Sequence, residues 1–466
     1  MDASTPLLSA PTPLPWRQVL ILLVVRLADP LSFTILFPFI YFMVKDLHLT
    51  DDDGKVGYYV GFIASSFAVA QMISGIPWGM ISDKIGRRPV ILLGMAGTSI
   101  SLFLFGLSKS LPWAIVTRSL CGLLSGNVGV IKSAMAELTD STNRAQGFSL
   151  MPMVFGIGSV LGPLLGGFLS NPATKYPNLF GKGEVGRFFM EYPYFLPCGI
   201  GSFIIAASGL FGFFFLEETM DISKVPDENA PICYTNTTPS TPLELFKEFF
   251  IGVSPGSWMA IICYAGQSFL SVIQSELIPL WAATPLNLEG LAFNSSDIGT
   301  LMAFGGASLL FIQLIVYVPV QRQIGTLALY RKAYVAYSLV VLLYPATYPF
   351  ATHNLNWLLW ASLFLLTALR TGCHVFAVTS INILLAETCS NKKTLGKING
   401  ISQTSGSLMR AIGPTFCGIV FSWSLTNNFY FPLLRAPLMW IVLSLIALIN
   451  YFLGCKLAHL LTNSSQ

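Results

Sequence analysis

From Trp16 onward the chain is a succession of apolar runs, each about 20 residues long, parted by short polar segments. That run length constrains the fold more than any other feature. A helix rises about 1.5 Å per residue, so such a run matches the roughly 30 Å hydrocarbon layer of a bilayer. The runs lack the ten-residue alternation of membrane-barrel strands and therefore read as helices. With 53% hydrophobic and 10% charged residues, the chain has too little polar surface to coat a water-soluble fold. About twelve runs centre near residues 31, 68, 98, 124, 158, 205, 268, 308, 341, 371, 411 and 446. The expectation is an all-α membrane protein with twelve transmembrane helices. The first run follows a polar Pro/Ser/Thr leader, carries Asp29 and has no small-residue cleavage site, so it reads as a span and not a signal peptide.

Between Glu217 and Glu248 the stretch EETMDISKVPDENAPICYTNTTPSTPLELFKE replaces apolar residues with polar ones and divides the spans six and six. The halves share a pattern. ELTDSTNRAQGFSLMPMVFGIGSVLGPLLGG from Glu137 and ETCSNKKTLGKINGISQTSGSLMRAIGPTFCG from Glu387 each place a Glu at a helix end, then a basic loop, then Gly-Pro in the next helix. This repetition predicts two pseudo-symmetric six-helix bundles around a cleft, a transporter architecture. The expected organisation is a leader over 1–18, a first bundle over 19–216, a central loop over 217–250, a second bundle over 251–458 and a tail over 459–466. With the N-terminus cytoplasmic, the inner segments hold twice as many Lys and Arg as the outer ones, so leader, loop and tail are all expected in the cytoplasm. The remaining cations, Arg26, Arg118, Lys132, Arg370 and Arg410, fall inside spans. The eight cysteines show no metal-ligand or disulfide spacing and read as packing residues.

GMISDKIGRRP, residues 79–89, must reverse the chain between the second and third spans. Gly79 and Gly86 permit close approach, Asp83 can accept hydrogen bonds from a neighbouring helix N-terminus, and Arg87 and Arg88 beside Lys84 can reach inner-leaflet phosphates. A merely basic turn would have no use for Asp83. The pattern G-x-x-x-D-K-x-G-R-R resembles the signature loop of the major facilitator superfamily, which implies the MFS fold and transport by alternating access. In the equivalent loop of the second half, PVQRQIGTLALYRK, Gln321 stands at the acidic position.

A guanidinium near mid-membrane costs at least ~2.5 kcal/mol on insertion scales, so it needs a carboxylate, backbone carbonyls or a watery cavity. Arg118, with Gly122 in TRSLCGLLSG, resembles the embedded R-x-x-x-G element of proton-coupled drug antiporters in this superfamily. GIGSVLGPLLGG, residues 156–167, resembles the antiporter motif of the same drug:proton branch at Gly158, Gly162, Pro163, Gly166 and Gly167, with Ser149 in place of the pattern's first glycine. The resemblance implies exchange; ordinary small-residue packing, with a bend at Pro163, is the competing reading. RLADPLSFTILFPF at 26–39, together with ELTDSTNRAQG, PYFLPCG and PLWAATPLNLEGLAF, is similar to the fungal and plant group related to zinc-induced facilitator transporters along nearly the whole chain. That likeness implies proton-coupled export, or vacuolar loading, of small organic molecules or metal-chelating ligands.

Arg26 and Asp29 lie three apart on one helical face, beside Pro30 and Pro38, which loosen the backbone. Asp29 is the expected proton-carrying carboxylate, with Arg118 as its partner and regulator; Arg26 either joins them or snorkels to headgroups. A static buried ion pair is the other reading. In the second half Arg370, His374, Asn382, Gln313 and Glu276 are cavity candidates, Arg370 being the pseudo-symmetric mate of Arg118 and Glu276 lying either in the cavity or toward the outer mouth. No triad, phosphate loop or metal cluster emerges, and His48 beside Asp51–Asp53 is too irregular for a zinc site, so neither an enzyme nor a cofactor, metal or nucleic-acid partner is expected. The expected partners are lipids, protons and a small molecule, and the chain is expected to be a monomer. The leading reading is proton-coupled antiport of a small organic molecule, as export or vacuolar sequestration. A facilitative uniporter or symporter of a small polar solute such as a sugar is the alternative, although the presumed cavity helices are rich in Phe, Met and Tyr. Vacuolar and plasma membranes of a eukaryotic, fungal cell remain equally open.

Asn294 in NSS falls on the outer side of this topology, whereas the Asn236 sequon falls on the cytoplasmic side. Expression in a glycosylating host is therefore expected to give an endoglycosidase-sensitive gel shift that Asn294→Gln abolishes. Sugar on Asn236 would invert the topology.

Overall fold

The computed structural model describes residues 12–125, 127–140, 142–220, 254–388, 392–427 and 437–464, and these are helical with no strand among them. Most of the central loop, including Asn236, lies outside the described residues. Among the described residues eleven helices are long and apolar enough to cross a membrane; the first apolar run supplies the twelfth span in broken form.

That run splits into α1 (Trp16–Arg26), α2 (Ala28–Thr34) and α3 (Ile40–Asp46). Its prolines explain both breaks. Pro30 has no N–H for the carbonyl of Arg26, and Pro38 has none for that of Thr34, so the ladder lapses on either side of α2. The Thr34 hydroxyl donates back to the Pro30 carbonyl at 2.7 Å, or across to that of Gly158 at 2.9 Å. Next come α4 (Val56–Ile85) and α5 (Arg87–Gly106), with Gly86 between them at φ +100°. A split span follows, α6 (Leu111–Leu124) and α7 (Asn127–Leu138), and then α8 (Arg144–Leu169) and α9 (Phe195–Phe215). α8 continues as one helix through Pro152 and Pro163.

The second half opens with α10 (Pro255–Ala283) and α11 (Ser295–Phe311). A π segment, Ile312–Val316, joins α11 to α12 (Tyr317–Ile324). The chain reverses at Gly325, φ +83°, into α13 (Thr326–Leu342), the counterpart of the Gly86 turn. Three long helices complete it: α14 (Asn356–Glu387), α15 (Lys392–Thr426) and α16 (Pro437–Ser464). Large apolar side chains such as Phe203, Phe214 and Trp357 stand exposed around the perimeter, as a lipid-facing surface requires.

The halves meet along two seams, α4 against α15 and α8 against α11. At the first, a Cβ on Gly418 would lie 2.2 Å from the Gly57 carbonyl oxygen and one on Gly61 would lie 2.7 Å from that of Pro414. Ser65 Oγ meets Thr415 N at 2.9 Å. At the second, Ser170 and Ser295 hydroxyls lie 2.8 Å apart, and Lys175 Nζ donates to Ser295 Oγ at 2.7 Å. These contacts occupy the start of α4, the end of α15, the end of α8 and the start of α11. Farther along α4, toward Asp83, Gly75 and Gly79 face open space. The cleft is therefore closed on the face carrying Asn294 and open on the face carrying the Asp83 loop.

Close backbone contact across α4 and α15 exists only while the Asn294 face is shut. Gly418→Val is expected to disfavour that closure and reduce labelling of a cysteine placed at Met80, on the open face, by a membrane-impermeant thiol reagent several-fold. Unchanged labelling would show that the seam tolerates the added methyl groups.

Candidate functional site

Arg26 Nη1 forms an ion pair with Asp29 Oδ2 across the break between α1 and α2, and Ser125 Oγ donates to Asp29 Oδ1 at 2.9 Å. The pair is largely shielded, the two side chains keeping 14% and 11% exposure, so Arg26 is not snorkelling to headgroups. Asp29 sits in the first turn of α2, where a helix dipole favours an anion.

Arg118 serves the other end of the same short helix. Its Nη1 donates to the Ser32 carbonyl at 3.1 Å, and its guanidinium lies 4.8 Å from the Phe67 ring centroid and 5.5 Å from that of Phe105. The expected direct partnership with Asp29 is thus corrected: Asp29 is met by Arg26 and Ser125, while Arg118 is met by backbone and ring faces. A desolvated cation–π contact contributes about 2 kcal/mol, comparable to the ~2.5–3.5 kcal/mol insertion cost of an arginine, so these contacts hold Arg118 without a bonded carboxylate. Its Nε and Nη2 still lack hydrogen bonds, as does Glu276 Oε1 on α10, the described carboxylate whose charge reaches Arg118. Glu276 is buried in the interior, not exposed at the mouth.

The glycines of the antiporter-like motif make room for the charged helix. A Cβ at Gly158 would meet Pro30 at 2.6 Å, one at Gly162 would meet Thr34 Oγ1 at 2.0 Å, and one at Gly166 would meet the Ile35 carbonyl oxygen at 1.9 Å. The next residue, Gly167, faces the other half, 2.8 Å from Gly299 Cα on α11 by the same construction. Pro163 adds its carbonyl to this seam, 2.6 Å from a Cβ built on Gly299. One helix therefore touches both the Asp29 segment and the partner bundle.

The signature loop is held differently from expectation. Arg87 does not point to headgroups; it is clasped by Asp83, Nη1 to Oδ1 at 2.5 Å, and by Glu137, Nη2 to Oε1 at 3.0 Å. The acceptor at the N-terminus of α5 is Glu218, which takes the N–H groups of Arg87 and Arg88 at 2.8 and 3.0 Å; Asp83 does not fill that role here. Arg88 donates to the Phe213 carbonyl. Gly86 is needed where it stands, since a Cβ would lie 2.4 Å from Glu218, whereas Gly79 packs against nothing. Lys84 is exposed. In the second half Gln321 donates to Thr326 Oγ1 at 2.9 Å.

A cavity of about 130 Å³ lies between the halves, walled by Phe33, Phe37 and Phe155 on one side and Gln274, Arg370 and His374 on the other. Arg370 Nε donates to the Tyr344 hydroxyl at 3.1 Å, and Tyr344 stacks on Trp440 with centroids 4.6 Å apart. Tyr337 donates to Gln274 Oε1 at 2.7 Å, and His374 Nε2 lies 2.7 Å from Ser271 Oγ. Three expected cavity residues, Glu276, Gln313 and Asn382, are not among those that wall it. Gln313, in the π segment, accepts from Thr379 at 3.0 Å, and Asn382 is exposed and bonded to its own helix at Val378. Sequence reasoning missed Gln274 and Ser271, although Gln267, Ser271 and Gln274 mark one face of α10 by their spacing. The three cavity phenylalanines carried no such signal in so aromatic a chain. Asn294 is exposed and caps α11, accepting from the N–H groups of Ser296 and Asp297.

Two helical repeats about a cleft open on one face, with a buried arginine from each and a broken first helix, have the architecture of a membrane transporter and not of an enzyme. The chain belongs to the Major Facilitator Superfamily, whose profile matches residues 22–414. It is 31% identical to the major facilitator superfamily multidrug transporter mfsB of Aspergillus fumigatus, over 89% of this chain and 80% of that one. It is 30% identical to the protein Zinc Induced Facilitator-Like 1 of Arabidopsis thaliana, over 88% and 85% respectively. Among solved structures, a bacterial homologue of the human lysosomal transporter Spinster, described as inward-facing and occupied, superposes with a TM-score of 0.68 at 14% identity, covering 97% of this chain and 98% of that one.

Because a side chain at 166 would strike the Ile35 carbonyl, Gly166→Val is expected to cost about 1–3 kcal/mol through overpacking. It should lower the melting temperature of the detergent-purified protein by several degrees and abolish transport. Gly75→Ala, in open space, should change neither.

Proposed function

We propose that this transporter is a proton-coupled antiporter that moves a small organic molecule out of the cytoplasm, across the plasma membrane or into the vacuole of a fungal cell, by alternating access. It works as a monomer with both termini cytoplasmic. One observation carries the reading: α8 packs its glycines on the Asp29 segment and its next glycine on the partner bundle, so a change in the Asp29 segment is transmitted to the seam that must open. In this orientation the cleft faces the cytoplasm. Similarity to a multidrug transporter of Aspergillus fumigatus supports export of an organic molecule.

Asp29 is the proton carrier. While ionised it holds Arg26 and the Ser125 hydroxyl across the break between α1 and α2. Protonation removes the charge that binds Arg26, and α2 is then free to shift along the Gly158–Gly166 track. Arg118 anchors the far end of α2 at the Ser32 carbonyl and so regulates Asp29 through the helix between them.

The test is flux into proteoliposomes with an imposed pH gradient, using a panel of aromatic solutes of either charge. The wild type is expected to accumulate substrate against its gradient. Asp29→Asn should accumulate none while retaining substrate counterflow. Full gradient-driven uptake by Asp29→Asn would remove Asp29 from the coupling, and equal uptake with and without a pH gradient in the wild type would favour a uniporter.

A further inference from the structure

Resting on the transport reading above, we propose that the cargo is a small organic anion, a carboxylate or sulfonate on an aromatic body, whose charged group docks on Arg370 and whose ring lies among Phe33, Phe37 and Phe155.

The argument begins with the charges inside the spans. Among the described residues, Asp29 is taken by Arg26, and Glu276 faces Arg118. Arg370, Lys132 and Arg410 are then left with no ion pair among the described residues. An unmatched buried cation costs several kcal/mol, and Arg370 is the one of the three that lines the cavity, so its charge calls for an anion from outside the chain.

Arg370 is built to receive it. Tyr344 holds its Nε, and Tyr344 is itself fixed by stacking on Trp440 and by a 3.2 Å contact with Thr367 Oγ1. The guanidinium is thus positioned before any ligand arrives. Its Nη2 lies 4.0 Å from where a Cβ on Gly305 would stand, and Gly305 also lines the cavity, so the missing side chain leaves space at the donor. Gln274 lines the cavity too, its oxygen accepting from the Tyr337 hydroxyl. Among the described residues no Asp or Glu lines the cavity, so a cationic solute would find no carboxylate partner among them. The volume of about 130 Å³ suits a ring, since a cavity of roughly 150 Å³ holds benzene.

Two further cations, one from each bundle, carry the same sign. Lys132 on α7 and Arg410 on α15 come from opposite bundles, both half-buried and within electrostatic reach of one another, with Arg26 close to Lys132. Arg410 also donates to Ser407 Oγ at 2.8 Å, which leaves its charge uncompensated. These cations repel across the cleft, and an anion between them relieves the repulsion and draws the bundles together.

The experiment is equilibrium binding to the full-length protein in detergent, followed by tryptophan fluorescence. Benzoate, 2-naphthoate and 2-naphthalenesulfonate are compared with 2-naphthamide and 2-naphthylmethylammonium at fixed pH. The anions are expected to bind at least about tenfold tighter than the amide, with affinity falling as salt rises. Arg370→Gln should erase that preference. Arg410→Gln, at a half-buried position, should weaken anion binding by about threefold and flatten its salt dependence without lowering the melting temperature of the unliganded protein; it keeps the proposal testable where Arg370→Gln does not fold. Ammonium or amide binding as tight as the anions, no anion binding, or undiminished anion affinity in Arg410→Gln would overturn it. Binding in detergent needs neither a membrane nor a gradient. Tight anion binding without any flux in proteoliposomes would therefore sink the transport reading alone, and proton-driven flux of the ammonium without anion binding would sink this inference alone.

Discussion

A seven-residue helix, α2, carries opposite charges at its two ends, and the first half is organised around keeping both satisfied away from water. The anion belongs to α2 itself and sits where the helix dipole is positive; the cation comes from α6 and sits where it is negative. Each charge is stabilised in place by α2, so the helix cannot move without disturbing one of them. Pro30 within α2 and Pro38 beyond it each remove a ladder hydrogen bond, which sets α2 off as a separate segment of the first span.

The glycines of α8 gain their meaning from this arrangement. Small residues in membrane helices permit close packing, and here the packing partner is the charged, detached helix on one side and the opposite bundle on the other. Local electrostatics and the global seam thus share one rigid element. Arg87 plays a corresponding part at the open face, where its clasp by Asp83 and Glu137 ties α4, α5 and α7 into one body, and Glu218 fastens the start of the central segment to it. The loop charges of the first half are thus spent on one another and not on lipid.

The second half uses its buried arginine differently. Arg118 is covered by rings and a carbonyl, whereas its counterpart Arg370 is steadied by tyrosines and opens on the cavity. Pseudo-symmetry has placed a cation at related positions in both halves, and the neighbours cover one with rings and a carbonyl while the other lines the cavity. Glu276 and Arg118, from opposite bundles and each with unused polar atoms, add a charge attraction across the interface that no hydrogen bond yet completes.

The sequence alone determined the membrane class, the span count, the repeat and the Asp83 loop, because bilayer thickness sets run length and because tight turns demand particular residues. It also marked Asp29, Arg118, Arg370 and His374, since an ionisable residue inside an apolar run is costly enough to stand out. It did not determine who meets whom. Asp29 and Arg118 carry complementary charges, but pairing depends on the path of α2 between them, and Arg26 is simply nearer. Gln313 and Asn382 look like cavity residues in a list of polar positions, yet their direction depends on a π segment and on helix rotation that no pattern of letters encodes. Which face of the cleft is shut, and which phenylalanines wall it, followed only from the packing of glycine against backbone across the two bundles.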